Sequence, residues 1–471
     1  MAQKDLSPEA LMEPFRVRVV EPLRFTSREE RELALEHARF NLYALDARDV
    51  LIDLLTDSGT CAISGDQMAV MMRGDESYAG SASFRRMEQA IQKIFGFEHI
   101  LPTHQGRAAE RLLLQALAPA GSLLPSNTLF DTTRANCMDL GVEAIDLPTA
   151  AFWDFSSPWP FKGDMDCAAL EKLLTSPDAA RVPFVLLTIT NNICADLPVS
   201  MQNLREVSAI AHRHGKPLYL DACRFAQNAW YIQRFEEGYR EKSIAEILSE
   251  IFALADGCIV SAKKDAMAQI GGFLAVRNKD VAEAARHRML LSEGFITYGG
   301  MTGRDMEAIA SGLVEGTDEA HLSCRMETTA YLHAQLVERG LPMVCPSGGH
   351  AVYLLANAML PHLTEADNPG HALAVELYRE GGIRSTRICI QPHNGPHMGE
   401  RIEMLRLAIP NRVYSYRHLD YVADCMARVA KRANEICGFR ILCQPRLLGG
   451  FMAEYEPTPK ADWHPSAALA V

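Results

Sequence analysis

Nowhere among the twelve cysteines of this 471-residue chain do two form a C-x-x-C pair, which excludes a zinc ribbon or a thioredoxin-type redox motif. Twelve in so long a chain is no disulfide framework either, so reduced thiols and a cytoplasmic setting are expected. No apolar run approaches the roughly 18 residues that a membrane span requires. The N-terminal stretch MAQKDLSPEALMEPFRVRVVEP has early acidic residues and no apolar segment before a small-residue cleavage site, so no secretory signal is expected. Positive charge is in deficit as well: 47 Lys and Arg against 59 Asp and Glu give a formal charge of −12. A field of that sign repels phosphates and argues against nucleic acid or an anionic membrane as partner. Internal repeats and low-complexity blocks are also missing.

What is present describes a globular enzyme: 48% hydrophobic residues, 23% charged and 24 prolines spread along the length. The length allows a large domain and a smaller one. A charged helix is predicted over residues 27–41, with Ser27 as N-cap and Glu30 at the capping-box position. Residues 56–80 are dense in Gly, Ser, Thr and Asp, which reads as loop. Strands and helices then alternate. Strands are predicted at 99–102, 122–124, 142–147, 184–189, 217–220 and 258–261, and helices at 84–95, 107–117, 201–214 and 244–253. Short continuous apolar strands separated by helices imply an α/β fold with a mostly parallel sheet covered on both faces. After a long helix at 318–340 and a strand at 351–355, the C-terminal third reads as a smaller α+β domain. The expected division is 58–315 for the large domain, and 1–57 with 316–471 for the small one. The tail after Glu454 is rich in Pro and Ala and is expected to be loose.

Three stretches carry chemistry. Residues 255–273, ADGCIVSAKKDAMAQIGGF, run a short strand into Lys263 and Lys264. An amine at the edge of a core is partly desolvated and becomes a usable nucleophile, although a lysine pair also serves as a plain solvated strand end. Residues 103–107, Thr-His-Gln-Gly-Arg, lie between a strand and a helix, where backbone N–H groups, a glycine and an arginine can meet an anion. Asp221 ends the strand in PLYLDACR; there it can face a ligand and hold a pyridine nitrogen protonated, or cap the next turn. Together the three match the needs of pyridoxal phosphate (PLP): a phosphate cradle, a partner for the ring nitrogen and an amine for the aldehyde.

These stretches, with LLTDSGT (54–60), GDESYAGS (74–81), PTHQGR (102–107), LPVSM (197–201), IGGF (270–273), YGG (298–300), GRDMEA (303–308), GGHAV and LRLAIP (405–410), resemble the β-eliminating lyases of aromatic amino acids. These are tyrosine phenol-lyase and tryptophan indole-lyase (tryptophanase), fold-type I PLP enzymes. The resemblance implies that Lys264 joins the cofactor, with Ser261, Lys263, Gln105, Gly106 and Arg107 around its phosphate. Phe130 would stack on the ring, Asp221 would hold its nitrogen, and Asn192 and Arg224 would lie on its hydroxyl side. Arg406, with Thr56, Ser58 and Asn192, would bind the substrate carboxylate, a task suited to a planar guanidinium. Tyr78 would protonate the leaving group, reaching the site from a neighbouring subunit, as would Tyr298. A homotetramer of paired dimers is implied. A monovalent cation, usually potassium, is implied at Gly59, Glu76 and Gln269, where the family has an asparagine in place of the last.

At the positions expected to choose the substrate, the two activities part. Asp131 and Ile388 resemble the indole-lyase pattern, and a shift of one residue would put Arg387 in the place of Ile388. Gly450 matches neither activity: indole-lyases have a histidine there and phenol-lyases a phenylalanine. Elimination from tryptophan or another aromatic L-amino acid, to give pyruvate, ammonia and the released group, is the leading expectation. Tyrosine phenol-lyase activity, or a carbon–sulfur lyase or β-substitution enzyme accommodated by Gly450, is the alternative. A catalytically dead homologue is disfavoured by the presence of Lys264, Asp221, Arg406 and Tyr78 together.

Overall fold

The computed structural model describes residues 13–458 apart from Arg18, Cys194 and residues 392–398. Its centre is a seven-stranded sheet in the order His99–Thr103, Gly272–Val276, Gly257–Ser261, Leu218–Asp221, Val185–Thr188, Leu123–Ser126, Glu143–Asp146. All run parallel except Gly272–Val276, which opposes both neighbours. The inner strands are buried at every position, as continuous apolar runs require when helices cover both faces. Side-chain alternation splits them between two cores. Leu187, Leu220, Val260 and Phe273 face one, and Leu186, Tyr219, Ile259 and Leu274 face the other. Thr188, Asp221 and Ser261 therefore emerge at one edge, the carboxyl ends of the parallel strands, where ligands bind in such sheets.

A second, antiparallel sheet is ordered Thr386–Ile390, Ile402–Ala408, Ala351–Leu355. Leu35, Leu42, Ile52 and Leu54 of the N-terminal segment share a core with Leu332, Leu373, Leu405 and Val422. A short parallel pairing of Ile52–Asp53 with Ile383–Arg384 ties the two ends of the chain together. Among the described residues no helix is long and apolar enough to cross a membrane, and the described cysteines are free thiols.

The structure departs from the sequence expectations at definite places. Residues 56–80 are not all loop: Gly65–Met71 is a helix, closed by a capping box of Ser64 and Gln67. Helices Asp131–Leu140 and Phe225–Phe235 escape periodicity reading. The first is polar and rich in threonine, and the second is buried nearly all round, so neither shows one apolar stripe. The tail after Glu454 begins with a strand, Glu454–Pro457, paired antiparallel with Phe439–Cys443; residues 459–471 lie outside the described part. The capping box at Ser27 and Glu30 forms as expected, on helix Arg28–His37.

Candidate active site

A cavity of about 530 Å³ opens at the carboxyl ends of the central strands, under the second sheet. Gln105, Gly106, Arg107, Ser261, Lys263 and Lys264 line one part of it. Gln105 is the N-cap of helix Gly106–Leu117, yet its side chain makes no cap hydrogen bond, so the first-turn N–H groups face the cavity uncapped by it. The backbone here is drawn tight against the neighbouring strand. A Cβ on Gly106 would lie 2.7 Å from Ser261 Cβ, and one on Gly272 would lie 2.8 Å from the Gln105 carbonyl carbon. Burial first, then the charges of Lys264 and Arg107, lower the pKa of Lys263. An anion placed there meets concentrated positive potential.

Asp221 ends the strand Leu218–Asp221, and its Oδ1 is buried without a hydrogen-bond partner. An unpaired buried carboxylate oxygen is costly, and a protonated ring nitrogen would satisfy it. Beside it stands Glu110, one helical turn beyond Gly106. Burial, and next the charge of Asp221, raise its carboxyl to about 7, and it accepts a 3.0 Å hydrogen bond from Thr132 Oγ1. Cys223 also lines the cavity; burial and the charge of Asp221 push its thiol up to about 12, so it is an inert wall rather than a nucleophile.

Arg224 is buried and donates to Asp57 through Nη2 at 2.9 Å and Nε at 3.2 Å. Burial works to raise the Asp57 carboxyl, but Arg224 and His350 outweigh it and hold the group well below the usual carboxylate range. Arg224 Nη2 also reaches His350 Nε2 at 3.1 Å. That imidazole is fully buried with Nδ1 against Asp196, and burial and Arg224 push it down to about 4, which favours its neutral form. Asp57, Glu110 and His350 were missed as site residues by sequence reading. A signal existed for Glu110, an acid on the helix face that follows Gly106.

Arg406 lies on the second sheet in register with Tyr353 and Thr386. Its Nη1 donates to Asn192 Oδ1 at 3.1 Å and its Nη2 to Leu55 O at 2.9 Å, while Nε is buried without a partner. Asn192 Oδ1 also accepts from the Tyr353 hydroxyl at 3.0 Å. Thr56, Ser58 and Asn192 join Arg406 on the cavity wall. Phe130 and Asp131 line it from the start of helix Asp131–Leu140. Asp131 is raised by the surrounding protein, with Arg406 acting against that rise.

Cross-strand register separates Ile388 from Arg387. Ile388 pairs with Met404 and packs with Tyr353 on the face that carries Arg406. Arg387 projects from the opposite face of the sheet, donating to Asn368 Oδ1 at 2.6 Å and Glu403 Oε1 at 3.1 Å, yet it also lines the cavity. Gly450 borders the cavity, and a Cβ there would meet nothing within 4 Å. Next to it the Phe451 ring lies 4.8 Å from that of Tyr43.

Two groups of expected residues are not brought to this cavity within one chain. Tyr78 is 59% exposed and packs in tilted contact with Phe295 and Tyr298, ring centroids 5.8 and 5.1 Å away. Of the expected cation ligands, Gly59 approaches Gln269, whose carbonyl oxygen would be 2.7 Å from a Cβ on the glycine. The described contacts of Glu76 are instead with the Gly303 N–H at 3.0 Å and Arg304 Nε at 3.1 Å.

The site thus offers an anion cradle, an orphaned carboxylate oxygen, two lysines and a half-satisfied guanidinium on one cavity, a donor set that fits PLP together with an amino acid. The fold agrees. A serine palmitoyltransferase from S. paucimobilis, solved with a bound PLP–myriocin aldimine, superposes with a TM-score of 0.57 at 14% identity, over 82% of this chain and 88% of that one. The architecture is therefore that of fold-type I. In sequence, the tryptophanase of Hyphomonas neptunium is 49% identical over 95% of this chain and 99% of its own length. The tyrosine phenol-lyase of Symbiobacterium thermophilum is 42% identical over 94% and 98%. Residues 53–425 match the family model described as beta-eliminating lyase, and the chain is a member of that family.

Proposed function

We propose that the protein is a PLP-dependent β-eliminating lyase that cleaves the side chain from an aromatic L-amino acid, tryptophan first, releasing pyruvate, ammonia and the leaving group. The observation that carries this reading is the buried, unpartnered Oδ1 of Asp221 on the same cavity as Lys264 and the loop 103–107. Bound PLP supplies an aldehyde for a lysine amine and a protonated ring that takes up the electron pair left when the substrate loses its α-proton. Asp221 keeps the proton on the ring nitrogen. Gln105, Gly106, Arg107, Ser261 and Lys263 would hold the phosphate, Phe130 would cover the ring, and Arg224 and Asn192 would lie on its hydroxyl side. Lys264 would hold the cofactor through its amine, and its Nζ is the base that would take the substrate's α-proton. Arg406 grips the substrate carboxylate with Thr56, Ser58 and Asn192, and orients the Cα–H bond for removal.

Tyr78 delivers the proton to the leaving carbon from a neighbouring subunit, with Tyr298 beside it. Its exposure and its ring contacts away from the cavity support an assembly in which sites are shared, a homotetramer of paired dimers. The implied monovalent cation would need Glu76 from another copy, because its own chain engages that carboxylate with Gly303 and Arg304. The two separate cores support division into a large domain, 58–315, and a small one from both ends of the chain. Free thiols support a cytoplasmic setting.

Tryptophan is preferred over tyrosine because Ile388 shares the face of Arg406 and packs in one cluster with Phe130, while the Arg387 guanidinium, although Arg387 also lines the cavity, is already engaged by Glu403 and Asn368. A carbon–sulfur lyase or β-substitution enzyme is the second reading, favoured by the open space at Gly450. Pyruvate release measured with tryptophan, tyrosine, S-alkylcysteines and serine derivatives tests both. Turnover fastest on tryptophan supports the first reading, turnover fastest on S-alkylcysteines supports the second, and no turnover of any defeats both.

A further inference from the structure

Glu293 occupies a place that local stability does not account for. It is the C-cap of helix Lys279–Ser292 and only 7% exposed, so a carboxylate there is both desolvated and set against the negative end of the helix dipole. No Lys or Arg pairs with it among the described ion pairs. Its partner is His104: the backbone N–H of His104 donates to Glu293 Oε2 at 3.0 Å, and Nδ1 lies 2.6 Å from the same oxygen. The contact is built in by the chain around it. Gly299 and Gly300 both take left-handed φ, +62° and +69°, and a Cβ on Gly299 would lie 2.5 Å from Pro102 O. Only glycine lets this segment press against the strand end that carries His104.

The other face of the imidazole continues the chain of contacts, with His104 Nε2 2.9 Å from Gln105 Nε2. In the orientation shown the Gln105 amide nitrogen only donates, so His104 Nε2 accepts and Nδ1 carries the proton shared with Glu293. Gln105 then donates one amide N–H to His104. Its side chain is thereby kept from capping helix Gly106–Leu117, where it would consume first-turn N–H groups.

We propose that Glu293 and His104 are positioning residues of the phosphate cradle, holding the Gln105 amide turned from its own helix with its second N–H presented to a phosphate oxygen. This rests on the reading of residues 103–107 as the cradle for PLP. It predicts an effect confined to the phosphate end of the ligand.

The test compares cofactor-free protein binding PLP and binding pyridoxal, which has the same ring and aldehyde but no phosphate. Glu293→Gln and His104→Phe should each weaken PLP roughly tenfold, the worth of one hydrogen bond to a charged group, and leave pyridoxal unchanged. Gln105→Leu should weaken PLP similarly, and adding Glu293→Gln to it should cost nothing more, because the relay acts only through that amide. The inference is overturned if the variants bind PLP as the wild type does, if PLP and pyridoxal weaken equally, or if the two substitutions add. Should wild-type protein bind PLP no more tightly than pyridoxal, the cradle reading fails and this inference falls with it.

Discussion

Arg224 and Asp57 form a buried bidentate pair across 167 residues of sequence, with Nη2 2.9 and 3.1 Å from the two carboxylate oxygens. The pair joins the segment before the large sheet to the turn after Asp221, and its guanidinium borders the cavity. Removing one member leaves the other charged and desolvated, which costs more than the pair contributes. Asp57→Ala should therefore lower the unfolding free energy by about 3 kcal/mol, read from urea denaturation of the cofactor-free protein. Unchanged stability would show that Arg224 finds another partner.

Glu110 makes stability depend on pH in a stated direction. The folded chain holds its proton up to about 7, against an ordinary value of 4.5. Between those limits the unfolded state binds fewer protons, so stability falls as pH rises across the window and is level above it. Glu110→Gln should remove this part of the fall, making the variant more stable than wild type at pH 8 by on the order of 3 kcal/mol, with the difference vanishing near pH 4. Thermal unfolding of both proteins without cofactor, from pH 4 to 8, checks the sign.

Lys264→Ala should abolish the visible absorbance band of lysine-bound cofactor and lower pyruvate formation by several orders of magnitude, as loss of a covalent catalyst does. Lys263→Ala should keep the band and weaken cofactor binding. Equal spectra for the two variants would mean that the roles of the pair are assigned the wrong way round.

Gly450→His fills space that holds no atom within 4 Å of the new Cβ, so the fold should tolerate it with a stability change below about 1 kcal/mol. If the open space broadens substrate choice, the histidine should raise kcat/KM for tryptophan relative to S-alkylcysteines. A ratio that does not move would place the specificity elsewhere, with the Phe451 and Tyr43 rings the nearest described alternative.

The legible part of the site was the part written locally. Asp221 and Lys264 each follow a short apolar run, and Gly106 follows a strand and opens a helix, so their place at the carboxyl edge of a parallel sheet could be read before any contact was known. The helix Phe225–Phe235 could not, because burial on all sides erases the stripe that marks a surface helix. Nor could the orientation of Ile388 against Arg387 be read in advance. In a strand adjacent residues point to opposite faces, and only the register against Met404 and Leu405 says which shares the face of Arg406.

The sequence alone determined the alternation of elements, because strand periodicity and turn chemistry act over a few neighbours, and its resemblance to the lyase family pointed to the cofactor class. The tertiary structure decided which charges are paired and which are left open. Asp57 is neutralised by Arg224, Glu293 is set on His104, and Oδ1 of Asp221 is left without a partner. Those outcomes depend on distances between segments far apart in the chain, and the free energy of a charge is set by what surrounds it in space.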